Sequence, residues 1–89
     1  MKRWTLVFRA LSNINRLKII AMLSHRKMNV TNISASLQIS FTATSNHLAI
    51  LKNLDVVEAR GTAGHVVYSL NPNIPKDFKK IIQEIIPYR

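Results

Sequence analysis

Residues 37–52 have the sequence LQISFTATSNHLAILK, which predicts a turn followed by a helix with one apolar and one small, polar face. Ser40 can cap this helix by accepting a hydrogen bond from a backbone N–H group of its first turn. We therefore expect the helix to span residues 41–53. Three side chains recur at three- and four-residue steps and should face the core: they are Thr44, Leu48 and Leu51.

The opposite face of this helix carries short side chains, most of which can form hydrogen bonds. Because an α-helix turns by about 100° per residue, five positions fall together there: Thr42, Ser45, Asn46, Ala49 and Asn53. A face without acid or bulk can enter a groove of DNA and contact base edges. Asn46 is the best candidate, since its amide can pair bidentately with adenine. The alternative is a merely solvated face, but such faces usually favour Glu and Lys, which residues 45–48 lack.

The composition favours a small basic domain with an anionic partner. The chain has 89 residues, and its 13 Lys and Arg against 4 Asp and Glu give a formal net charge of +9. A folded chain that is so basic indicates a polyanion such as nucleic acid. A single core of this size is marginally stable, so a second copy would help to bury apolar surface. We expect one domain over residues 1–89 that binds double-stranded DNA as a homodimer.

Residue patterns that other functions require are missing. The sequence has no cysteine, and His25 and His65 lack the paired spacing of a zinc site, so we expect neither a metal nor a cofactor. The sequence contains no nucleophile–base pair, no glycine-rich phosphate loop and no carboxylate dyad, so we do not expect an enzyme. No uncharged apolar run approaches the roughly 20 residues of a membrane span. We therefore expect no membrane partner and a cytoplasmic, nucleoid-associated location.

Three shorter helices are predicted within residues 1–37. The second begins after a cap at residues 12–13 and has apolar side chains around most of its circumference. The third, residues 31–37, presents Ile33 and Leu37 to the core. A short helix, a tight turn and a second helix form a helix-turn-helix arrangement. The first helix has an apolar stripe with the spacing i, i+3, i+4, i+7: Trp4, Val7, Phe8 and Leu11.

After the fourth helix the apolar period changes to two. This period predicts a β-hairpin over residues 56–70 with its tip at residues 61–64, and a hairpin in this place is a wing. Pro75 can occupy the first turn of a last helix. That helix carries a dense apolar stripe, which predicts a contact between two chains but could instead fold back on its own core. The predicted dimer interface comprises Trp4, Val7, Phe8, Phe78, Ile81, Ile82 and Ile85.

The residues in this order resemble the ArsR family of dimeric winged-helix transcriptional repressors. Four segments carry the resemblance: ALSNINRLKII at 10–20, VTNIS at 30–34, SNHLAILK at 45–52 and VVYSL at 66–70. It implies a dimeric, mainly α, α+β winged helix-turn-helix fold, with four helices, a hairpin and a fifth helix. It also implies that the start of the fourth helix recognises DNA while the wing contacts the backbone. The residues concerned are Phe41, Thr42, Ser45, Asn46, Arg60 and Thr62.

The sequence departs from the metal-responsive members of that family. Those members carry Cys-X-Cys at the start of the third helix, where this chain has Asn29 and Thr31. Others use His and carboxylate pairs on the last helix, where Asp77 and Glu84 have no histidine companion. The resemblance therefore supports a repressor and not a metal sensor.

Two turns lack the glycine that the family usually has. Gln38 and Asp55 occupy these positions. Asp is one of the few non-glycine residues that tolerate the left-handed conformation at the end of a helix. We expect both turns to accept their residues at modest cost.

Some roles stay open at this point. Arg16 could be a structural cation near the start of the second helix or a contact to DNA phosphate. His47 lies on the inner flank of the fourth helix, which favours a hydrogen-bonded, half-buried residue over a base contact. The alternative function is a winged-helix protein-interaction module within a larger transcription or RNA-processing assembly. Activation of transcription is also compatible with the sequence.

Overall fold

The computed structural model describes residues 2–74 and 76–85. The elements in chain order are α1 (Lys2–Leu11), α2 (Ile14–Leu23), α3 (Val30–Leu37), α4 (Phe41–Asn53), β1 (Val57–Arg60), β2 (Val67–Leu70) and α5 (Lys76–Ile85). The two strands pair antiparallel, with residue 57 opposite residue 70. This confirms the predicted winged helix-turn-helix order. None of the described helices has the length and apolarity needed to cross a membrane.

Side-chain caps fix the starts of three helices. Asn13, Asn29 and Ser40 have extended backbone conformations at the N-caps of α2, α3 and α4. Their side-chain oxygens accept hydrogen bonds from backbone N–H groups two or three residues later, at 2.8–3.3 Å. Such a cap stabilises a helix by about 1 kcal/mol. Because Asn29 is a cap, α3 begins at Val30, one residue earlier than the sequence predicted.

The core lies between α2, α3, α4 and the base of the hairpin. Its largest fully buried side chains are Ile19, Ile20, Ile33, Leu48, Leu51, Val56 and Thr44. This confirms the inner face predicted for α4. The apolar side chains of α2, by contrast, are not all in the core: Ile19, Ile20 and Leu23 are buried, whereas Ile14 at the start of the helix is 62% exposed.

Both turns that lack glycine adopt the left-handed conformation. Gln38 has φ of 59° and Asp55 has φ of 62°. The backbone is held there by hydrogen bonds, since Ile39 N donates to Ser34 O at 3.3 Å and Val56 N donates to Leu51 O at 3.0 Å. Helix-ending bonds of this kind offset part of the roughly 1–2 kcal/mol that a left-handed residue costs.

A buried pair of hydroxyl groups joins α3 to α4. Ser34 Oγ lies 3.0 Å from Thr44 Oγ1, and both side chains are buried. Thr44 Oγ1 also donates to Ser40 O at 2.9 Å, and Ser34 Oγ lies 2.8 Å from Val30 O. Every hydroxyl is therefore satisfied, and the pair helps to fix how the two helices of the helix-turn-helix cross.

The wing is attached at its base to the segment that precedes α3. Met28 N donates to Tyr68 O at 3.0 Å, and Tyr68 N donates to Met28 O at 2.8 Å. On the other side, Asn71 N donates to Val56 O at 2.9 Å. These bonds make the hairpin base part of the domain, while the tip at residues 61–64 is exposed.

The hydroxyl pair gives a test of the helix crossing. We expect Thr44→Val, which keeps the side-chain volume, to lower the free energy of unfolding by about 0.5–1.5 kcal/mol, because the bond to Ser34 is lost while Ser34 keeps its contact with Val30 O. The double variant Ser34→Ala/Thr44→Val should cost less than the sum of the single variants. Urea denaturation measures these values, and Ser36→Ala, at an exposed serine of α3, is the control. Strictly additive effects would contradict the account.

Candidate nucleic-acid interface

The predicted outer face of α4 lies at the surface of the domain. Thr42, Asn46, Ala49 and Asn53 are exposed, and Ser45 is half-buried. All five side chains are short, so a partner can approach the helix backbone closely. The face offers amide and hydroxyl groups at the spacing of one helical turn, which suits contacts to base edges in a major groove.

The helices around this face carry positive charge without carboxylates. All four acidic residues stand at position 55 or later, whereas eight of the thirteen Lys and Arg residues fall within residues 1–54. Helices α1 to α4 therefore contain no acidic side chain. A positive electrostatic field of this kind attracts the phosphate backbone of a nucleic acid and raises the rate at which the two meet.

The wing adds a second polar surface. Arg60 at the end of β1 and Thr62 at the tip are both exposed. Arg60 Nε donates to Glu58 Oε1 at 3.3 Å, but with the Arg60 side chain 79% exposed the ion pair contributes little to stability. The tip requires glycine at position 61, where φ is 120° and a Cβ atom would overlap the His65 carbonyl oxygen. The arrangement leaves Arg60 able to contact phosphate.

A cleft of about 400 Å³ separates the starts of α3 and α4 from the wing. Phe41 and Ser45 line it from α4, Val30 from α3, and Val66 and Tyr68 from the hairpin. Phe41 is the first residue of α4, and its large apolar side chain is 58% exposed. The cleft thus adjoins the outer face of α4 and is partly apolar.

Arg16 lies behind α4 and links three helices. Its Nε donates to Ala10 O at 2.7 Å and its Nη2 donates to Arg9 O at 3.1 Å, both in the last turn of α1, where carbonyls lack helical donors. Its Nη1 lies 3.2 Å from His47 Nδ1 on α4. All three guanidinium nitrogens contact protein groups, which favours the structural one of the two roles considered for Arg16.

His47 is half-buried and hydrogen-bonded, as the sequence predicted. Burial and the charge of Arg16 both lower the pKa of His47 below its usual value of 6.5. A neutral imidazole whose Nδ1 accepts the Arg16 N–H group fits both the geometry and this shift. Burial also lowers the pKa of Arg16, but the guanidinium stays protonated at any ordinary pH.

Metal-binding groups are sparse in this structure. His25 and His65 are exposed, one between α2 and α3 and the other in the hairpin. Over residues 2–74 and 76–85, no three His, Cys, Asp or Glu side chains are grouped so that they could hold a metal ion. Asn29 uses its side chain to cap α3.

The predicted dimer surface is described only in part. Phe8 on α1 is 60% exposed, and Leu6 and Ile14 nearby in sequence are 43% and 62% exposed. Leu6 and Ile14 were not part of the dimer interface predicted from the sequence. Helices α1 and α5 contact each other. For the other predicted interface residues the structure describes the backbone and not the side chains: Trp4, Val7, Phe78, Ile81, Ile82 and Ile85.

Known proteins resemble this chain in both sequence and structure. The model of the family "Bacterial regulatory protein, arsR family" matches residues 13–59. The transcriptional activator HlyU of Vibrio cholerae is 30% identical over 79 residues, which cover 89% of this chain and 73% of HlyU. The transcriptional repressor SdpR of Bacillus subtilis is 34% identical over 71 residues, which cover 80% of this chain and 79% of SdpR.

Two solved structures have a similar fold over almost the whole of this chain. HlyU of Vibrio cholerae aligns with a TM-score of 0.78 at 30% identity, over 94% of this chain and 88% of HlyU. The homodimeric winged helix-turn-helix DNA-binding domain of Mb0332 from Mycobacterium bovis aligns with a TM-score of 0.76 at 25% identity. That alignment covers 94% of this chain and 75% of the domain.

The lowered pKa of His47 predicts a pH-dependent stability. Because the unfolded chain binds this proton more readily than the folded one, the contribution is present above pH 6.5 and is lost as the pH falls toward the folded pKa. We expect His47→Asn, whose Oδ1 can still accept from Arg16, to lose this part of the pH dependence. Urea denaturation above and below pH 6.5 measures the effect, with His25→Asn as the control. An unchanged profile in His47→Asn would contradict the assignment.

Proposed function

The chain belongs to the ArsR family of bacterial regulatory proteins, and from this premise we propose that it is a sequence-specific regulator of transcription that binds double-stranded DNA as a homodimer. The observation that carries the proposal is the outer face of α4. Its side chains are short, mostly polar and accessible, and the helix is packed from behind by fully buried residues. The absence of acidic residues from α1 to α4 supports a phosphate-rich partner.

The start of α4 enters the major groove and contacts bases. Thr42 and Asn46 are both exposed and lie one turn apart on α4. Asn46 pairs with adenine through its amide, and Thr42 contacts a neighbouring base edge. Phe41 and Ser45 reach bases on the side of the wing. These short side chains discriminate between bases only if the helix backbone lies deep in the groove.

The wing and Arg16 have supporting roles. Arg60 and Thr62 contact phosphates beside the groove, which fixes the register of the domain without reading the sequence. Arg16 sets the position of α4 through His47 and the end of α1. Its guanidinium contributes to DNA binding through the positive field.

Two copies bind a pseudo-palindromic operator. The structural relative Mb0332 is described as a homodimer, and exposed Phe8 and Ile14 give α1 and the start of α2 an apolar surface. A twofold axis through the terminal helices would place the two α4 helices in successive major grooves, about 34–36 Å apart. This geometry would give the apolar stripes in the sequences of α1 and α5 a partner surface.

Repression is the mode of regulation that needs the fewest contacts. A dimer that occupies an operator in the cytoplasm excludes polymerase by its volume, whereas activation requires a further surface that binds the transcription machinery. The relatives include the activator HlyU and the repressor SdpR, so a reporter gene behind the operator is the deciding assay. Lower expression in the presence of the protein supports repression, and higher expression overturns it.

The second candidate function is a winged-helix module that binds another protein. The basic charge of residues 1–54 and the short polar side chains of α4 fit DNA better. A gel-shift assay with genomic fragments at moderate salt separates the two. Retarded fragments support the DNA-binding function, and none retarded would favour the protein-interaction module.

Asn46→Ala tests base recognition. We expect the variant to fold normally, because the side chain is exposed, but to lose about 1–3 kcal/mol of discrimination against the wrong base. Fluorescence anisotropy with a selected duplex and a random duplex gives the ratio of the two affinities. That ratio should fall about tenfold. A ratio equal to that of the unmodified protein would show that α4 does not read the sequence through Asn46.

Arg60→Ala tests the contact of the wing with phosphate. We expect weaker binding to both duplexes by a similar factor, since phosphate contacts carry no sequence information. The slope of log affinity against log salt should become shallower by about 1. A loss confined to the selected duplex would contradict this role and indicate a base contact.

A further inference from the structure

One large side chain in the candidate interface cannot hydrogen-bond to a base. Phe41 is 58% exposed at the first position of α4, next to the outer face that we propose enters the groove. The other members of that face are hydroxyl, amide or methyl groups. The packing of the domain does not explain why a phenyl ring is left in water at this position, since the first buried residue of α4 is Thr44.

The ring lies at a partly apolar cleft. Phe41 and Ser45 stand one turn apart on the same side of α4 and line the cleft together. Val66 and Tyr68 of the hairpin and Val30 of α3 form apolar parts of the opposite walls and are half-buried. The cleft, at about 400 Å³, is much larger than a methyl group and open enough to admit the edge of a base.

We propose that Phe41 is a specificity-determining residue that contacts the 5-methyl group of a thymine lying at the mouth of this cleft. Thymine is the one standard DNA base that displays a methyl group in the major groove, and apolar side chains recognise it by contact. The proposal rests on the proposed DNA binding and adds the identity of a base. Asn46, about 140° from Phe41 around the helix, contacts a different base.

The matched control lies on the same helix. Ile50 is also an exposed apolar residue, 39% accessible, nine residues after Phe41. Nine steps of about 100° place it about 180° away, on the opposite flank of α4. Ile50→Ala therefore removes exposed apolar surface from α4 without altering the cleft.

The experiment is a cycle between a protein variant and a DNA variant. A duplex is first selected from a random pool by the unmodified protein at fixed salt, and each thymine is then replaced in turn by deoxyuridine, which lacks only the methyl group. Anisotropy titrations compare the unmodified protein, Phe41→Ala and Ile50→Ala on every duplex. Thermal unfolding confirms that the variants are folded.

We expect one thymine in each half-site to be sensitive. Replacing it by deoxyuridine should weaken the unmodified protein and Ile50→Ala by about fourfold, the effect of one buried methyl-sized group. Phe41→Ala should bind the two duplexes equally. Specific binding without any sensitive thymine would overturn the inference and leave the proposed function intact, as would a thymine preference that persists in Phe41→Ala. Failure to select any sequence would overturn the proposed function and the inference with it.

Discussion

The burial of the inner face of α4 is the constraint on which the rest of the structure depends. Thr44, Leu48 and Leu51 have no exposed surface, and Thr44 also meets Ser34 of α3 through the buried hydroxyl pair. Rotating α4 by one residue, about 100°, would bury polar groups and expose apolar ones. Because the buried inner face fixes the rotation of α4, the outer side chains do not have to contribute to packing and can be short. The inner face thus supplies the packing, and the outer face of α4 is left free for contacts with a partner such as DNA.

Arg16 extends this constraint from α4 to the start of the chain. It caps the carbonyl end of α1 and contacts the neutral imidazole of His47. In a dimer formed through α1 and α5, any shift of α1 relative to α4 must change these contacts. In the proposed dimer, the distance between the two α4 helices would therefore depend on the hydrogen bonds of Arg16.

Local sequence patterns predicted most of this structure, and contacts between distant segments account for what they missed. The cap at Ser40 and the spacing of the residues buried in α4 are local properties, so the sequence was sufficient. The bridge between Met28 and Tyr68 uses backbone groups alone and leaves no side-chain signature. The partners of Arg16 depend on the connection between α1 and α2, which brings the last carbonyls of α1 close to its guanidinium. The exposure of Ile14 depends on which other segments pack against α2. The family resemblance implied that Phe41 contacts DNA, but it did not predict the cleft that surrounds this side chain.

Selection of duplexes from a random pool tests the central claim most directly, because it reports binding, specificity and symmetry at once. The account predicts that the protein enriches two inverted half-sites whose centres are about 10–10.5 base pairs apart, or a multiple of that distance. Enrichment of a single unrepeated site would contradict the twofold arrangement. No enrichment at all would contradict the assignment of α4 as a surface that reads DNA.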